Sequence, residues 1–432
     1  MDEFEITIDK MVPGGLGFGN GAKKAVFVPF SAPGDHLLVE VEKQHKNHCF
    51  AAIKKIITPA ASRVQPKCAV YGQCGGCQLS HISSLHQEQI KSSFISDSLQ
   101  RIGKIEPDGV VADLKAAPAD IGYRRRAGLK VRVLKNVVLL GFFASGSHRV
   151  VDISTCPILD HRLERLLAPL RHLLEALGGN SFIPEVDCIA GDAGVGMVFH
   201  TIRAFSASDQ DRLRAFAKEQ QISQLWMQQG KKSRLRSLFS TSLLNYEVGG
   251  FSLSFKPGDF IQVNGFGNQI LVDEVVAASS GNSSNVGEVA WDLFCGIGNF
   301  TLPISTRFNK VYGVEGSPRA MQRLVENSKR NKTENIRQLR ADLFKPFGLD
   351  SLDGLERADM VLLDPPRNGA FDLVKRVAKK PPKRIVYVSC DPGTFSRDAA
   401  VLVEAGMTLK SVLPLDMFPH TRHVELIGVF DL

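Results

Sequence analysis

The chain has 432 residues, which at about 100–200 residues per domain predicts about two to four domains. Its hydrophobic content of 44% and charged content of 23% are those of a globular protein, and no apolar run approaches the roughly 18 residues that span a membrane. The net charge of +8 is compatible with a polyanionic partner. The acidic start lacks the features of a signal peptide, so the eight cysteines predict a reducing, cytoplasmic location.

Residues 1–60 have the pattern of a small β-barrel. Short strands are predicted at 4–8, 25–29 and 37–41, and a glycine-rich segment at 14–21 separates the first two. Short strands with glycine-rich corners favour an OB-like barrel, a fold that often binds nucleic acid. The glycines are not a phosphate-binding loop, because no Gly-Lys-Ser/Thr follows them.

Three cysteines with the spacing C-x5-C-x2-C follow the predicted barrel. They are Cys68, Cys74 and Cys77, and a fourth, Cys156, lies far downstream in Ser-Thr-Cys-Pro. Clustered cysteines in a reducing compartment predict a metal site, and sulfur-only ligation suits an iron–sulfur cluster or zinc. The spacing matches neither paired C-x2-C zinc motifs nor the C-x3-C-x2-C of radical enzymes. A last ligand followed by proline is a weak sign of an iron–sulfur site.

Residues 61–254 mix helical and strand patterns, which predicts an α+β central domain. Helices are predicted at 86–102 and 163–177. The predicted strand at 129–134 alternates cationic and apolar side chains, which gives it a basic face suited to a nucleic-acid backbone, and a basic loop is predicted at 228–242. Basic residues form three clusters, each a solvated face or a nucleic-acid contact: Arg124, Arg125 and Arg126; Lys231, Lys232, Arg234 and Arg236; Lys375, Arg376, Lys379, Lys380, Lys383 and Arg384.

From residue 255 to 432, strands alternate with helices, which predicts an α/β domain with a Rossmann-like parallel sheet. The strands are predicted at 289–294, 311–315, 360–363 and 385–389. Part of the segment at about 91–123 is expected to pack on this domain.

The turn after the first of these strands contains glycines where a cofactor would approach the backbone. Gly296 and Gly298 lie in this turn, and Glu315 closes the next strand about 20 residues later, where an acceptor for ribose hydroxyls belongs. The pattern is not G-x-G-x-x-G, which favours S-adenosylmethionine over a nicotinamide cofactor.

The next two strands end in polar motifs. Asp364-Pro-Pro-Arg367 has arginine where amino-group methyltransferases have an aromatic residue, which argues against their chemistry. Cys390 ends the following strand in Ser-Cys-Asp-Pro. At the carboxyl edge of a sheet this cysteine is placed to be a nucleophile, although a small apolar residue ending a core strand would look the same.

Five motifs together resemble those of the RNA (uracil-5-)-methyltransferase family. They are Asp-Phe-Ile-Gln-Val-Asn from 259, Asp-Leu-Phe-Cys-Gly-x-Gly-Asn-Phe from 292, Asp-Pro-Pro-Arg from 364, Val-Ser-Cys-Asp-Pro from 388, and Asp-Met-Phe-Pro-x-Thr-x-His-Val-Glu from 416. The barrel is similar to a TRAM domain. The resemblance covers nearly the whole chain and is strongest to the TRAM-bearing, cluster-bearing bacterial branch that methylates uridine in 23S ribosomal RNA.

This resemblance implies a class I methyltransferase domain and a role for each motif residue. Cys390 would be the nucleophile that attacks C6 of uracil, Glu425 the base that removes the C5 proton, and Asp364 a group that orients the uracil or assists proton transfer. The uridine would have to flip out of its stack to reach the thiolate. The implied S-adenosylmethionine site contains Gln262, Phe294, Asn299, Glu315, Asp342 and Asp364.

Two further implications concern the metal and the adenine contact. The four cysteines Cys68, Cys74, Cys77 and Cys156 match the family's signature for a [4Fe-4S] cluster, to which we assign a structural role. The family often has asparagine where Asp342 stands, and aspartate can accept but not donate a hydrogen bond there.

Two alternatives remain. The same chemistry could act on transfer RNA, but the family's bacterial transfer-RNA branch usually lacks the barrel and the cysteines. The chain could instead be a catalytically silent RNA-binding assembly factor, against which the retained Cys390, Glu425 and Gln262 count. We infer no membrane association and no obligate protein partner, and the motifs do not identify the uridine.

Overall fold

The computed structural model describes residues 3–21, 24–230, 233–280 and 287–432. Lys231 and Lys232 of the second basic cluster lie outside this range. Among the described residues, no helix combines the length and apolarity that crossing a membrane requires.

The first sheet has six strands that curve round one core as a barrel-like sheet. The strands are β1 Glu3–Thr7, β2 Lys10–Val12, β3 Leu16–Asn20, β4 Ala25–Pro29, β5 His36–Gln44 and β6 His48–Thr58. Their order is β1-β5-β6-β4-β3-β2, so β1 and β2, which are consecutive in the chain, occupy the two edges. Alternate side chains point inward because successive residues of a strand face opposite sides, and Ile6, Val26, Val28 and Val39 are among those that fill the core.

A central sheet of seven strands follows in the order β10-β9-β8-β11-β12-β13-β14. The elements of this part are α1 Ser84–Ser98, β7 Lys115–Ala116, β8 Arg126–Leu134, β9 Val137–Phe143, β10 Val150–Asp152, α2 His161–Glu164, α3 Leu167–Ala176, β11 Glu185–Ala190, β12 Val195–Thr201, α4 Ala207–Glu219, β13 Gln224–Gln229, β14 Arg236–Ser240, β15 Leu244–Val248 and β16 Phe251–Phe255. The helix predicted at 163–177 is broken, since α3 begins at Leu167. The predicted loop at 228–242 contains a strand, because β14 pairs antiparallel with β13.

The C-terminal sheet has the order β19-β18-β17-β20-β21-β23-β22-β7. Its elements are α5 Gly265–Ser280, β17 Gly287–Leu293, α6 Thr301–Ile304, β18 Phe308–Glu315, α7 Pro318–Arg330, β19 Ile336–Arg340, α8 Pro346–Asp350, β20 Met360–Leu363, α9 Phe371–Ala378, β21 Arg384–Ser389, α10 Pro392–Glu404, β22 Thr408–Asp416 and β23 Glu425–Asp431. Strands β17 to β21 pair in parallel, and β23 lies antiparallel to β21 and β22. This parallel sheet with one reversed strand near its edge confirms the predicted fold class.

Part of the segment at 91–123 packs on the C-terminal sheet, as expected from the sequence. Strand β7 pairs in parallel with the end of β22 and forms the edge of the sheet. Helix α1 continues as a π-helical turn, Leu99–Gly103, and both contact α10. The catalytic sheet is therefore completed by a segment that precedes the central sheet in the chain.

Candidate active site

The candidate site lies where the order of the parallel strands reverses. From β17 the chain proceeds to β18 and β19 on one side, and β20 and β21 lie on the other. Open α/β sheets bind ligands beyond the carboxyl ends of strands at such a point. A cavity of about 910 Å³ opens there, and of the sequence-predicted residues it is lined by Gln262, Phe294, Asn299, Glu315, Asp364, Cys390, Glu425 and the four cysteines.

The turn after β17 is fixed by backbone geometry. Phe294 has a φ of 68°, and its N–H donates to Val314 O at 3.0 Å on the neighbouring strand. Gly298 has a φ of 101°, and a Cβ there would lie 2.4 Å from Leu302 Cδ1. Strained non-glycine residues of this kind cluster at functional sites, where the backbone must be held in one shape.

Glu315 joins this turn to the next one. Its carboxylate accepts hydrogen bonds from Gly296 N at 3.2 Å and from Ser317 N at 2.6 Å. Ser317 in turn caps α7, since its hydroxyl accepts from Ala320 N, and Pro318 follows at the first position of the helix. A half-buried carboxylate at the end of the second strand fits an acceptor for ribose hydroxyls.

Asn299 is held by an amide pair. Asn268 Nδ2 donates to Asn299 Oδ1 at 2.9 Å, and Asn299 Nδ2 donates back to Asn268 Oδ1 at 2.9 Å. The Tyr246 hydroxyl also donates to Asn299 Oδ1, at 3.0 Å. Neither Asn268 nor Tyr246 was predicted, because both come from other elements and carry no motif.

Asp342 lies outside the cavity, unlike the other predicted cofactor residues. It is exposed, and its carboxylate accepts from Phe344 N at 3.1 Å. Phe344 does line the cavity, and its ring lies 5.3 Å from that of Phe294. The two rings form an apolar wall that sequence analysis missed, although an aromatic residue two positions after a predicted site residue could have suggested it.

Cys390 follows β21 directly and precedes the N-terminus of α10. Asp391 caps this helix by accepting from Thr394 N at 2.8 Å. Burial and then the charge of Glu425 raise the pKa of the Cys390 thiol to about 12, while Arg367 acts in the opposite direction. A thiol with this pKa is protonated at neutral pH, so forming the thiolate requires a base or added positive charge.

Three carboxyl groups lie in or below the same cavity. Burial raises the pKa of Asp364 to about 7 and that of Asp292 to about 7, and each group lies near a second acid. Burial, and then the charge of Asp364, also raises the pKa of Glu425 well above its ordinary value. A dry pocket with several acids favours a cationic ligand, because a cation would stabilise the ionised carboxylates.

Arg367 and His423 face each other at the cavity. Arg367 Nη2 lies 3.4 Å from His423 Nε2. Burial and then the Arg367 charge lower the pKa of His423 to about 4, so the imidazole is neutral near pH 7. The neutral ring can therefore accept or donate a hydrogen bond beside Cys390 and Glu425.

The 417–424 loop links β22 to Glu425, the first residue of β23, and carries His423. Lys91 of α1 is fully buried, and its Nζ donates to Asp416 Oδ1 at 2.7 Å and to Phe418 O at 3.0 Å. Further contacts reach the loop from distant segments, among them Asn264 Nδ2 to Met417 O at 3.0 Å, the Tyr123 hydroxyl to Pro419 O at 2.9 Å, Leu79 N–H to His420 O at 2.9 Å, and His420 N–H to Gln87 Oε1 at 2.8 Å.

The four cysteines of the predicted metal site face the same cavity. All are free thiols. Cys68, Cys74 and Cys77 lie between β6 and α1, and Cys156 lies between β10 and α2. Burial, and then the charge of Cys156, raise the pKa of Cys77 to about 12. Within the described part of the chain, however, no three His, Cys, Asp or Glu side chains are gathered as they would be round a metal ion.

The sheet order and the cavity define a class I methyltransferase domain. The sequence profile of the family described as tRNA (Uracil-5-)-methyltransferase matches residues 91–431. The chain therefore belongs to this family and is an S-adenosylmethionine-dependent methyltransferase, as the motifs predicted.

The similarity to named methyltransferases extends over almost the whole chain. It is 36% identical to the 23S rRNA (uracil(1939)-C(5))-methyltransferase RlmD of Alkalilimnicola ehrlichii, over 99% of this chain and 96% of the relative. It is 35% identical to RlmD of Aromatoleum aromaticum, over 98% and 99%. Among solved structures, the tRNA (uracil-54, C5)-methyltransferase of Pyrococcus abyssi, in complex with S-adenosyl-L-homocysteine, superposes with a TM-score of 0.76, 25% identity and 99% coverage of both chains.

Proposed function

We propose that this protein transfers a methyl group from S-adenosylmethionine to C5 of a uridine in 23S ribosomal RNA, at the position that the relatives' names give as 1939. The observation that carries the proposal is the meeting of Cys390, Asp364 and Glu425 in the cavity that also contains the turn after β17. A ribosomal RNA substrate implies that the protein works in the cytoplasm.

The chemistry requires a nucleophile because C5 of uracil reacts poorly with a methyl donor. Cys390 first loses its thiol proton to a base, and the thiolate Sγ then adds to C6, which turns C5 into the carbon of an enolate. S-adenosylmethionine supplies the electrophilic methyl group that this carbon takes. The position of Cys390 at the N-terminus of α10 stabilises the thiolate, and so does the nearby guanidinium of Arg367.

Glu425 completes the reaction. After C5 has been methylated, the carboxylate removes the C5 proton, the double bond re-forms, and Cys390 leaves as a thiolate. A raised pKa makes the ionised Glu425 a stronger base than an exposed glutamate. Asp364 follows the end of β20 and orients the uracil edge or relays the proton.

Ribosomal RNA fragments with 5-fluorouridine at the target position test this proposal. Fluorine cannot leave as a proton, so the wild-type protein should form a stable covalent adduct that appears as a mass shift in the presence of S-adenosylmethionine. Cys390→Ala should form none. An adduct that persists without Cys390, or no adduct despite bound cofactor, would contradict the proposed mechanism.

Transfer RNA is the second candidate substrate, because the solved relative bears a transfer-RNA name. Ribosomal RNA is favoured since the RlmD relatives are 35–36% identical to the chain, against 25% for that structure. Methyl transfer to purified 23S fragments and to total transfer RNA, measured side by side, separates the two. A protein that methylates neither would be the silent assembly factor.

We also propose that Cys68, Cys74, Cys77 and Cys156 hold a [4Fe-4S] cluster with a structural role. Their convergence on one cavity and their sulfur-only chemistry support it, and each thiolate of such a cluster binds a different iron, which needs a wider spacing than one metal ion does. Cys156→Ser should lose iron and weaken RNA binding. A variant with full iron content and unchanged affinity would argue against this role.

The units 1–60, 61–254 and 255–432 remain our proposed domains. The barrel of the first unit supports a TRAM-like role in RNA binding, and the central sheet, whose strand β8 contains Lys130 and Arg132, supports contact with the RNA backbone.

A further inference from the structure

The outward face of the barrel carries a row of aromatic rings. In the sheet register Phe18 pairs with Phe27, and Phe27 pairs with Phe50, so the three residues lie side by side on β3, β4 and β6. Their ring centroids are 5.9 Å and 5.6 Å apart. The rings are half-buried and alternate with inward residues such as Val26 and Cys49, so they do not belong to the barrel core.

The same register continues to a lysine at each end of the row. Lys43 pairs with Phe50 and is exposed. Lys10 pairs with Phe18, and its ammonium forms an ion pair with Asp97 of α1. Lys43 therefore leaves a positive charge beside the rings, whereas Lys10 anchors the opposite end of the row to the rest of the protein.

The β5–β6 hairpin extends the row with two histidines. The rings of His45 and His48 are stacked, with centroids 4.5 Å apart and planes at 13°. His48 also contacts Phe27 at 5.7 Å and Phe50 at 5.5 Å. Lys24 Nζ donates to His45 O at 2.8 Å, which holds the hairpin and adds a second ammonium near the rings.

Cross-strand ring pairs stabilise a sheet, but that role requires neither a continuous row nor a cation beside it. Flat rings in a row next to lysines match the way in which single-stranded nucleic acids are held, by stacking of the bases and attraction of the phosphates. The chain's net charge of +8 fits the same ligand.

We infer that Phe18, Phe27, Phe50, His48 and His45, hereafter the ring row, bind unpaired bases of the RNA substrate by stacking. Lys43 and Lys24 lie where they can neutralise the adjoining phosphates. The inference rests on the proposed function because it assumes an RNA substrate, and it adds a site outside the catalytic cavity at which the RNA is bound by its bases.

The test measures binding of a short, fluorescently labelled single-stranded RNA to the full-length protein. Phe27→Leu keeps an apolar side chain and removes the ring, whereas Phe27→Tyr keeps the ring and is the matched control. We expect the leucine variant to bind about ten-fold more weakly, with the tyrosine variant close to the wild type. Lys43→Gln should instead make the plot of log binding constant against log salt concentration less steep, by about the slope that one phosphate contact contributes.

A second arm uses RNA in which abasic sites replace the stacked nucleotides, with the backbone unchanged. The abasic RNA should bind the wild type as weakly as normal RNA binds Phe27→Leu, and the two changes together should cause no further loss. The comparison of normal and abasic RNA on the wild type needs no variant to fold. Equal binding of normal and abasic RNA by the wild type would overturn the inference, as would a folded leucine variant that keeps its RNA affinity.

Methyl transfer distinguishes failure of this inference from failure of the proposed function. If both are right, Phe27→Leu raises KM for RNA and leaves kcat unchanged, because no ring of the row lines the catalytic cavity. If the ring row does not bind RNA, methylation persists with an unchanged KM. If methylation itself fails, the binding arms still report on the ring row.

Discussion

The two sides of the catalytic cavity are built in opposite ways. The cofactor side consists of the turn at 294–299 and Glu315, which are fixed by hydrogen bonds between neighbouring strand ends. The substrate side consists of the 417–424 loop and Glu425, and the loop is fixed by Lys91, Asn264 and other residues from distant segments.

This difference separates what a short motif can encode from what only the whole chain can supply. The cofactor turn at 294–299 is held by hydrogen bonds to Val314 and Glu315 at the end of the next strand, β18, so the same local geometry can form wherever these two parallel strands pair. The position of Glu425 depends on contacts that span more than 300 residues of sequence, since Lys91 and Asp416 are 325 residues apart. Variants on each side should therefore have separable effects.

Changing Glu425 should have the largest effect on the substrate side. Glu425→Gln keeps the shape of the side chain but cannot remove the C5 proton, so turnover should fall by about 10²–10⁴. The methylated covalent adduct with Cys390 should accumulate and be visible by mass spectrometry. Cofactor affinity should not change, and near-normal turnover without an adduct would assign the base to another residue.

Breaking the ion pair below the 417–424 loop should have the second-largest effect. Lys91→Met leaves the buried Asp416 without its partner, which should cost about 3–5 kcal/mol of unfolding free energy. At a temperature where the variant is folded, kcat should fall while S-adenosylmethionine affinity stays constant. The exposed pair Lys115–Glu274 is the control, and Lys115→Met should cost about 0–1 kcal/mol. Equal losses for the two variants would contradict the role of Lys91.

Gly298→Ala is the matching change on the cofactor side. The positive φ and the close approach of Leu302 make alanine strained by about 1–3 kcal/mol. We expect weaker S-adenosylmethionine binding, measured by calorimetry, and an unchanged KM for RNA. Loss of RNA affinity with normal cofactor affinity would show that the two sides are not separable.

The smallest expected effect is a pH dependence that links the two sides. Asp364 has a pKa of about 7, so its carboxylate forms as the pH rises through that value. The positively charged sulfonium of S-adenosylmethionine should then bind more tightly, by at most about ten-fold per pH unit below the pKa. S-adenosylhomocysteine is uncharged at sulfur and is the control. Identical pH profiles for the two ligands would show that Asp364 does not sense the sulfonium charge.

The sequence predicted the parts of the structure that local patterns encode. The strand ends that place Cys390 and Asp364, and three of the six barrel strands, follow from residues within a few positions of each other. The sequence could not reveal that Phe344 rather than Asp342 faces the cavity, since that depends on how the turn after β19 is oriented.

The registers between strands could not be predicted from the sequence either. Phe27 lies in a predicted strand, but Phe18 lies in the glycine-rich segment at 14–21 and no strand was predicted at Phe50, so nothing in the sequence showed that the three side chains meet. The buried pair of Lys91 and Asp416 was missed for the same reason, because a lysine in a predicted helix is usually exposed.

The way in which Leu79, Gln87, Lys91 and Tyr123 hold the 417–424 loop also limits how the chain can be divided for engineering. A chimera joined near residue 254 would combine a methyltransferase sheet with foreign side chains beneath Glu425, the proposed base. A junction near residue 60 would exchange the barrel and keep those contacts. Substrate choice should therefore be easier to transplant with the barrel than catalysis is with the C-terminal half.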